Sequence, residues 1–224
     1  MNLIEYPDSD LMMMDVADTL AGDLNAALMT HDSVSFAVPG GTTPWPLFDT
    51  LAAVTLDWDR VRVFLTDERW VPETSERSNA RLVRERLLTG KASAARFTPY
   101  YVHGEAPDTA LARHGEALAA HLPLSVLLLG MGTDMHTASL FPGADRLSDA
   151  LAPKAPPLMA LSAEAVPEPR VTMTAPVLRE AMATHLLVTG AEKRAALERA
   201  ASLDDPAQAP VALVLRTAKV HWAP

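Results

Sequence analysis

A histidine, an aspartate and three glycines stand close together in the segment GMGTDMHTASLFPG, residues 130–143. The segment follows the apolar run LSVLLL, residues 124–129, which is typical of a buried strand. His136 can exchange protons near neutral pH, and Asp134 could orient the imidazole and stabilise its cationic form. A lone histidine can instead be structural, and metal ligation lacks an HxH, HxxxH or HExxH pattern. His136 and Asp134 are therefore the candidate acid–base pair.

A glycine-rich loop, Gly40-Gly41-Thr42-Thr43-Pro44, separates a predicted strand from a predicted helix. Glycines let the backbone turn tightly and approach a ligand. Free N–H groups at a helix start favour an anion, and the threonine hydroxyls add donors. The spacing and the missing lysine exclude a Walker A loop. The loop is a candidate phosphate site, with an ordinary threonine-capped turn as the alternative.

Two further strand ends carry candidate cations. Asp67, Glu68 and Arg69 follow an apolar run, and the Arg69 guanidinium could bind a phosphate or carboxylate through two N–H groups. The alternative is a local ion pair on a solvated loop. Lys193 falls in the first turn of a predicted helix, where the macrodipole disfavours a cation by roughly 0.3–1 kcal/mol. A bound anion would remove that conflict; alternatively, Lys193 pairs with Glu192 or points into solvent.

The elements that must position these residues alternate between short apolar runs and longer amphipathic segments. The pattern predicts strands over 35–38, 61–66, 126–130, 158–162 and 185–190, and helices over 9–30, 44–52, 78–88, 107–122, 176–183 and 191–202. The segments 210–216 and 219–222 close the chain, the second as a candidate edge strand. This alternation predicts a mostly parallel sheet covered on both faces, with ligands bound beyond the carboxyl ends of its strands.

Composition narrows the class of protein. The 224 residues include 49% hydrophobic and 21% charged residues, which is ordinary globular composition. Since no linker or repeat interrupts the pattern, we expect a single domain over 1–224. A net charge of −9 without a basic stripe argues against nucleic-acid binding. The absence of cysteine, signal peptide and long apolar run favours a cytoplasmic protein that spans no membrane, as a monomer or small homo-oligomer.

Taken together, the motifs resemble those of the glucosamine-6-phosphate isomerase/6-phosphogluconolactonase family, and specifically of its lactonase members. The matching segments are PGGTTP (39–44), TDERWVP with SN (66–72 and 78–79), GMGTDMHTASLFPG (130–143), RVTMT (170–174) and GAEK (190–193). The resemblance implies a three-layer α/β/α sandwich with a mostly parallel, Rossmann-like sheet. It also implies hydrolysis of 6-phospho-D-glucono-1,5-lactone to 6-phosphogluconate, with no redox cofactor or essential metal.

The resemblance also suggests a role for each candidate residue. His136 would act as general base on water, Asp134 would orient it, and Asp67 would contact sugar hydroxyls. Backbone N–H groups near Gly132 are candidates for stabilising charge on the carbonyl oxygen. The 6-phosphate would be held by the loop and by cations: Gly40, Gly41, Thr42, Thr43, Arg69 and Lys193, with Arg170 as a further candidate.

Two other functions remain open at this point. One is a glucosamine-6-phosphate deaminase/isomerase, although HTASLFPG differs from the deaminase-like continuation and the chain is short after residue 216. The other is a non-catalytic sugar-phosphate sensor, for which the chain has no evident output element. One position departs from the family pattern, because Met135 stands where glycine is usual. If that position requires a positive φ, methionine would be strained there by roughly 1–2 kcal/mol.

Overall fold

The computed structural model describes residues 1–164 and 166–224. Within those ranges the strands are β1 (Asn2–Glu5), β2 (Val34–Val38), β3 (Val61–Leu65), β4 (Asp67–Arg69), β5 (Arg96–Phe97), β6 (Val126–Gly130), β7 (Leu158–Leu161), β8 (Arg170–Met173), β9 (Ala183–Thr189) and β10 (Lys219–Ala223). The helices are α1 (Ser9–Leu28), α2 (Trp45–Ala52), α3 (Asn79–Arg86), α4 (Pro107–Ala119), α5 (Leu147–Leu151), α6 (Ala175–Arg179) and α7 (Ala191–Leu203).

Seven strands form one parallel sheet in the order β1-β10-β9-β6-β2-β3-β5. Every residue of β2 is buried, as are the first four residues of β6, because helices flank the sheet. Such continuous apolar strands are what a parallel sheet covered on both faces requires. The prediction of a three-layer α/β/α sandwich with a mostly parallel, Rossmann-like sheet is confirmed.

Helix α1 illustrates how the sequence builds a covering layer. Val16, Leu20 and Leu24 recur every fourth residue and are all fully buried against the sheet. The helix begins after Asp8, whose carboxylate accepts a hydrogen bond from the N–H of Leu11 at 2.8 Å. The predicted helix 9–30 therefore matches the observed one closely. No helix in the described part of the chain is long and apolar enough to cross a membrane.

A second, three-stranded antiparallel sheet, in the order β4-β8-β7, was not predicted. The sequence predicted a strand over 61–66 and none over the polar cluster that follows it, but Asp67–Arg69 form β4 and pair with Arg170–Thr172. The predicted strand near 158–162 does exist as β7, in this small sheet rather than the large one. Periodicity could not reveal β4, because it is only three residues long and its residues are charged.

The chain termini also differ from expectation. Residues Lys219–Ala223 form β10, which lies between β1 and β9 and is not an edge strand. The unpredicted β1 occupies the edge instead. In the apolar segment 210–216, Pro210–Leu213 form a buried 3-10 turn, which explains the apolar composition of the segment. The predicted helix 176–183 ends early, at Arg179, since Ala183 already belongs to β9.

Candidate functional site

A cleft of about 200 Å³ opens beyond the carboxyl ends of the central strands, where the sequence placed the candidate site. It receives the loop after β2, the segment after β6 and the start of α7. The small sheet contributes β4 and β8 from the other side. Of the predicted site residues, the following line the cleft: Gly40, Gly41, Thr43, Asp67, Arg69, His136, Arg170 and Lys193. Thr42 and Asp134 do not line it.

His136 and Asp134 form a direct pair. The Nδ1 atom of His136 lies 2.5 Å from Oδ1 of Asp134, and the same oxygen accepts the backbone N–H of His136 at 3.2 Å. Burial alone would raise the pKa of the Asp134 carboxyl, but the hydrogen bonds and charge of His136 outweigh it and lower that pKa. An ionised Asp134 favours the tautomer with a proton on Nδ1, which leaves the Nε2 lone pair available. Asp134 thus touches the histidine and does not line the cleft.

The turn that aims His136 is held by backbone hydrogen bonds and by a left-handed residue. The N–H of Met135 donates to the carbonyl of Gly132 at 3.0 Å, and the N–H of Gly132 donates to the carbonyl of His136 at 3.1 Å. Met135 has a φ of 68°, and Ala138, two residues after the histidine, has a φ of 49°. The expected strain at Met135 is therefore present. Since its N–H is engaged, Gly132 itself is not a free donor for a substrate oxygen.

The residue at position 132 must be glycine because the side chains of His136 and Asp134 approach its backbone closely. A Cβ atom at this position would lie 2.3 Å from Nδ1 and Cε1 of His136 and 2.5 Å from Oδ1 of Asp134. The ring is supported on another side by Phe141, whose centroid is 4.4 Å from that of the imidazole. The glycine thus leaves the space in which the acid–base pair forms.

The glycine loop presents its backbone toward the cleft. Gly41 has a φ of 80°, and among the described residues no group accepts the N–H of Gly40, Gly41, Thr42 or Thr43. Such unpaired, successive N–H groups make an anion-binding concavity. The helix start contributes less than predicted, because Pro44 and Pro46 have no N–H and the N–H of Trp45 donates to the carbonyl of Thr42.

Two arginines from the small sheet reach the cleft with unused donors. The Nε atoms of Arg69 and Arg170 are buried and have no hydrogen-bond partner among the described residues. Arg69 donates to the carbonyl of Arg77 through Nη1 at 2.7 Å. Arg170 lies 3.2 Å from Glu168 and 4.0 Å from Asp67. Burial, followed by the charge of Arg69, lowers the pKa of Arg170, as expected where two cations share one cleft.

Lys193 lies in the first turn of α7, as predicted, and its side chain is partly buried in the cleft. Burial lowers the pKa of its ammonium group. The alternative pairing with Glu192 is not found, since no carboxylate of the described residues lies within ion-pair distance of Lys193. A partly buried cation at a helix start is favourable only when an anion is near it. The three cations therefore converge on one cleft within an acidic chain.

Comparison with known proteins identifies the family to which the chain belongs. The model of the family described as glucosamine-6-phosphate isomerases/6-phosphogluconolactonase matches residues 7–222. The chain belongs to this family.

Individual family members match it from end to end. A 6-phosphogluconolactonase from Rhizobium meliloti (strain 1021) is 40% identical over 230 residues, covering 100% of this chain and 98% of that protein. The crystal structure of a 6-phosphogluconolactonase from Shewanella baltica OS155 superposes with a TM-score of 0.95 at 30% identity, covering 100% of this chain and 97% of that one. A monomeric glucosamine-6-phosphate deaminase superposes with a TM-score of 0.81 at 14% identity, which shows a shared fold only.

Several residues around the site of this family member were not predicted from the sequence. Asn79 lines the cleft, and a Cβ at Gly40 would lie 1.9 Å from its Oδ1, so the loop packs directly on this side chain. Ser139 donates to Oδ2 of Asp67 at 2.6 Å. Asn79 lies in the matched segment SN and Ser139 in HTAS, so membership of these segments was the signal that could have identified both residues.

Glu68, beside Asp67, links two elements that form the site. It is fully buried and accepts the N–H groups of Arg69, Asn79 and Ala80, each at 2.8 Å. Burial raises the pKa of Glu68 to about 7 despite these donors. Its carboxylate ties the start of α3, and with it Asn79, to β4.

Proposed function

We propose that this protein hydrolyses 6-phospho-D-glucono-1,5-lactone to 6-phosphogluconate. The observation that carries the proposal is that His136, paired with Asp134, lines the same cleft as three cations. A lactone phosphate needs both features, because its ester is cleaved by activated water and its phosphate needs a cationic anchor. The end-to-end match to proteins named 6-phosphogluconolactonase supports the same substrate.

The phosphate end of the substrate would sit against the glycine loop. The N–H groups around Gly41 and Thr43 point donors at an anion, and Arg69 and Lys193 add charge from two further elements. Arg170 is a third cation of the same cleft. Because the phosphate is remote from the ester, its binding energy can serve to orient C1 next to His136.

The chemistry would proceed at Nε2 of His136. Since Nδ1 is hydrogen-bonded to Asp134, Nε2 accepts a proton from water as the water oxygen bonds to C1. The tetrahedral intermediate then collapses, the bond from C1 to the ring oxygen breaks, and the imidazolium returns its proton to that oxygen. Asp134 stabilises the imidazolium throughout, and Asp67, held by Ser139, would contact sugar hydroxyls.

We further propose that residues 1–224 act as one unit. The cleft receives the glycine loop and Lys193 from segments that follow strands of the large sheet, and Asp67, Arg69 and Arg170 from the small sheet. Neither sheet supplies both the acid–base pair and all three cations.

The test is lactone hydrolysis by the purified protein, corrected for spontaneous hydrolysis. For His136→Ala we expect kcat to fall roughly 10²–10⁴-fold, because the proton acceptor is removed. His103→Ala, at an exposed histidine outside the cleft, is the matched control and should keep the wild-type rate. A His136→Ala enzyme with near wild-type kcat would contradict the assigned role.

The same preparation distinguishes the other two functions. Ammonia release from glucosamine 6-phosphate, without lactone turnover, would indicate the deaminase/isomerase reaction. Binding of 6-phosphogluconate with lactone turnover at background would indicate a sensor. Either result would overturn the proposal.

A further inference from the structure

A second pocket, of about 100 Å³, lies between β3, β5 and α4 and shares no residue with the cleft. Four basic side chains line it: Arg62 from β3, Arg96 from β5, His114 from α4, and His121 just after α4. No carboxylate of the described residues lines it, although the chain contains 28 acidic residues and 19 lysines and arginines. A cluster of basic groups without acidic partners is unexpected in a chain of this charge.

The two arginines are direct neighbours across the sheet. Arg62 and Arg96 are register partners in the parallel pair β3–β5, so their side chains leave the same face of the sheet. Like charges placed opposite each other on neighbouring strands destabilise the pair. Among the described residues, neither guanidinium forms an ion pair or a hydrogen bond that would compensate this repulsion. An anion between the two would compensate it.

The pocket also contains buried polar atoms with nothing to bind. Nε of Arg62 and Nε2 of His114 are both buried, and neither has a hydrogen-bond partner in the described part of the chain. Buried polar atoms are nearly always paired, so two unpaired ones on residues that line the same pocket are exceptional and favour a bound partner there. The hydroxyl of Tyr100, which donates to the carbonyl of Leu65 at 2.8 Å, does not lie within hydrogen-bond distance of either atom.

The imidazoles are fixed by aromatic neighbours. His121 lies 5.6 Å from the ring of Phe64, and His114 lies 5.8 Å from the ring of Tyr100, measured between centroids. Arg62 and His121 line the same pocket; burial lowers the pKa of His121, and the charge of Arg62 lowers it further. The pocket thus has two permanent charges and two positioned rings that can donate hydrogen bonds.

We propose that Arg62, Arg96, His114 and His121 form a second anion site, which binds a phosphate group and is separate from the substrate cleft. The volume fits this chemistry: about 100 Å³ is roughly the share of three water molecules at ~30 Å³ each. That is room for one tetrahedral oxyanion, in about half the volume of the main cleft. Arg96 is exposed, so the remainder of a phosphate ester could project outward past it. This proposal does not depend on the proposed function.

The experiment follows the ring Cε1–H signals of the seven histidines by NMR. Inorganic phosphate is titrated at constant ionic strength, with chloride as the balancing anion. Signals are assigned from His114→Gln and His121→Gln. We expect saturable shifts of both signals in the wild-type protein, and their loss in the double variant Arg62→Gln/Arg96→Gln. Arg113→Gln is the matched control, because Arg113 is exposed on α4 and paired with Glu105 outside the pocket.

Binding at the main cleft is separated by a Lys193→Ala background, in which the shifts of His114 and His121 should persist. The double variant should retain lactone hydrolysis, which shows that it is folded. The single variant Arg96→Gln changes only an exposed position and provides a second folded protein in which to test phosphate binding. A parallel titration with glycerol 3-phosphate distinguishes a site for phosphate esters from one for free phosphate, and shifts with either support the proposal. If phosphate moves neither signal, or moves both equally in the double variant, the proposal is wrong.

Discussion

Replacing Met135 by glycine and by alanine tests whether the left-handed turn that aims His136 is strained. Met135 has a φ of 68° and is 8% exposed, so the side chain is buried while the backbone is unfavourable. Alanine removes the side chain and keeps the strain, and such truncations of a buried methionine cost about 2–5 kcal/mol. Glycine removes both the side chain and the strain.

The two variants therefore differ mainly in the backbone. Relief of the left-handed conformation is worth roughly 1–2 kcal/mol. The greater freedom of glycine in the unfolded chain offsets about 0.4–1 kcal/mol of this. We expect Met135→Gly to be more stable than Met135→Ala by about 0.5–1 kcal/mol, and both to be less stable than the wild type.

The measurement is the free energy of unfolding from denaturant titration, alongside kcat. Met12 supplies the matched control: it is fully buried in α1 with ordinary helical φ, so glycine there should be less stable than alanine by about 1 kcal/mol. For Met135→Gly, kcat should stay within a few-fold of wild type, because the backbone bonds to Gly132 and Val211 do not need the side chain. An alanine variant more stable than the glycine variant would refute the strain argument, and a hundredfold loss of kcat in the glycine variant would refute the claim about aiming.

Three further outcomes follow from the structure. Lys193→Ala should raise KM for the lactone more than it lowers kcat, because it removes an anchor remote from C1. The control, Lys154→Ala at an exposed position, should change neither constant. A fall in kcat alone would argue against phosphate anchoring. Gly132→Ala should lower kcat with little change in phosphate binding, since its Cβ would meet His136 at 2.3 Å; an unchanged kcat would show that the turn relaxes freely. Burial, and then the charge of His185, lowers the pKa of His221 from 6.5 to about 4. The folded state therefore favours neutral His221. The resulting stabilisation is present above pH 6.5 and falls by about 3 kcal/mol as the pH drops toward 4. In denaturant titrations His221→Gln should flatten that part of the pH profile, and an unaltered profile would contradict the assignment.

Local sequence patterns determined the large sheet and the positions of its ligand-binding ends. Apolar runs such as Val126–Leu129 and the four-residue spacing in α1 are local signals, so they were readable without the fold. Because the carboxyl ends of parallel strands share one edge, the same patterns brought Gly41, His136 and Lys193 together correctly. Their chemical roles stay predictions until the assays are done.

Tertiary structure alone decided how those residues are supported. Asp67–Arg69 form a strand only because Arg170–Thr172, a hundred residues later, pair with them, and that pairing is what buries Asp67 and Glu68. Likewise β1 takes the sheet edge only because β10 returns beside it.

The local geometry around His136 was also decided by tertiary structure. The conflict between a Cβ at Gly132 and the imidazole, and the left-handed φ at Met135, are properties of a closed turn that the N–H of Val211 anchors from the far end of the chain. Periodicity records which face of an element is apolar. It does not record which distant residue will pack there, and close packing between distant residues is what sets the geometry of this site.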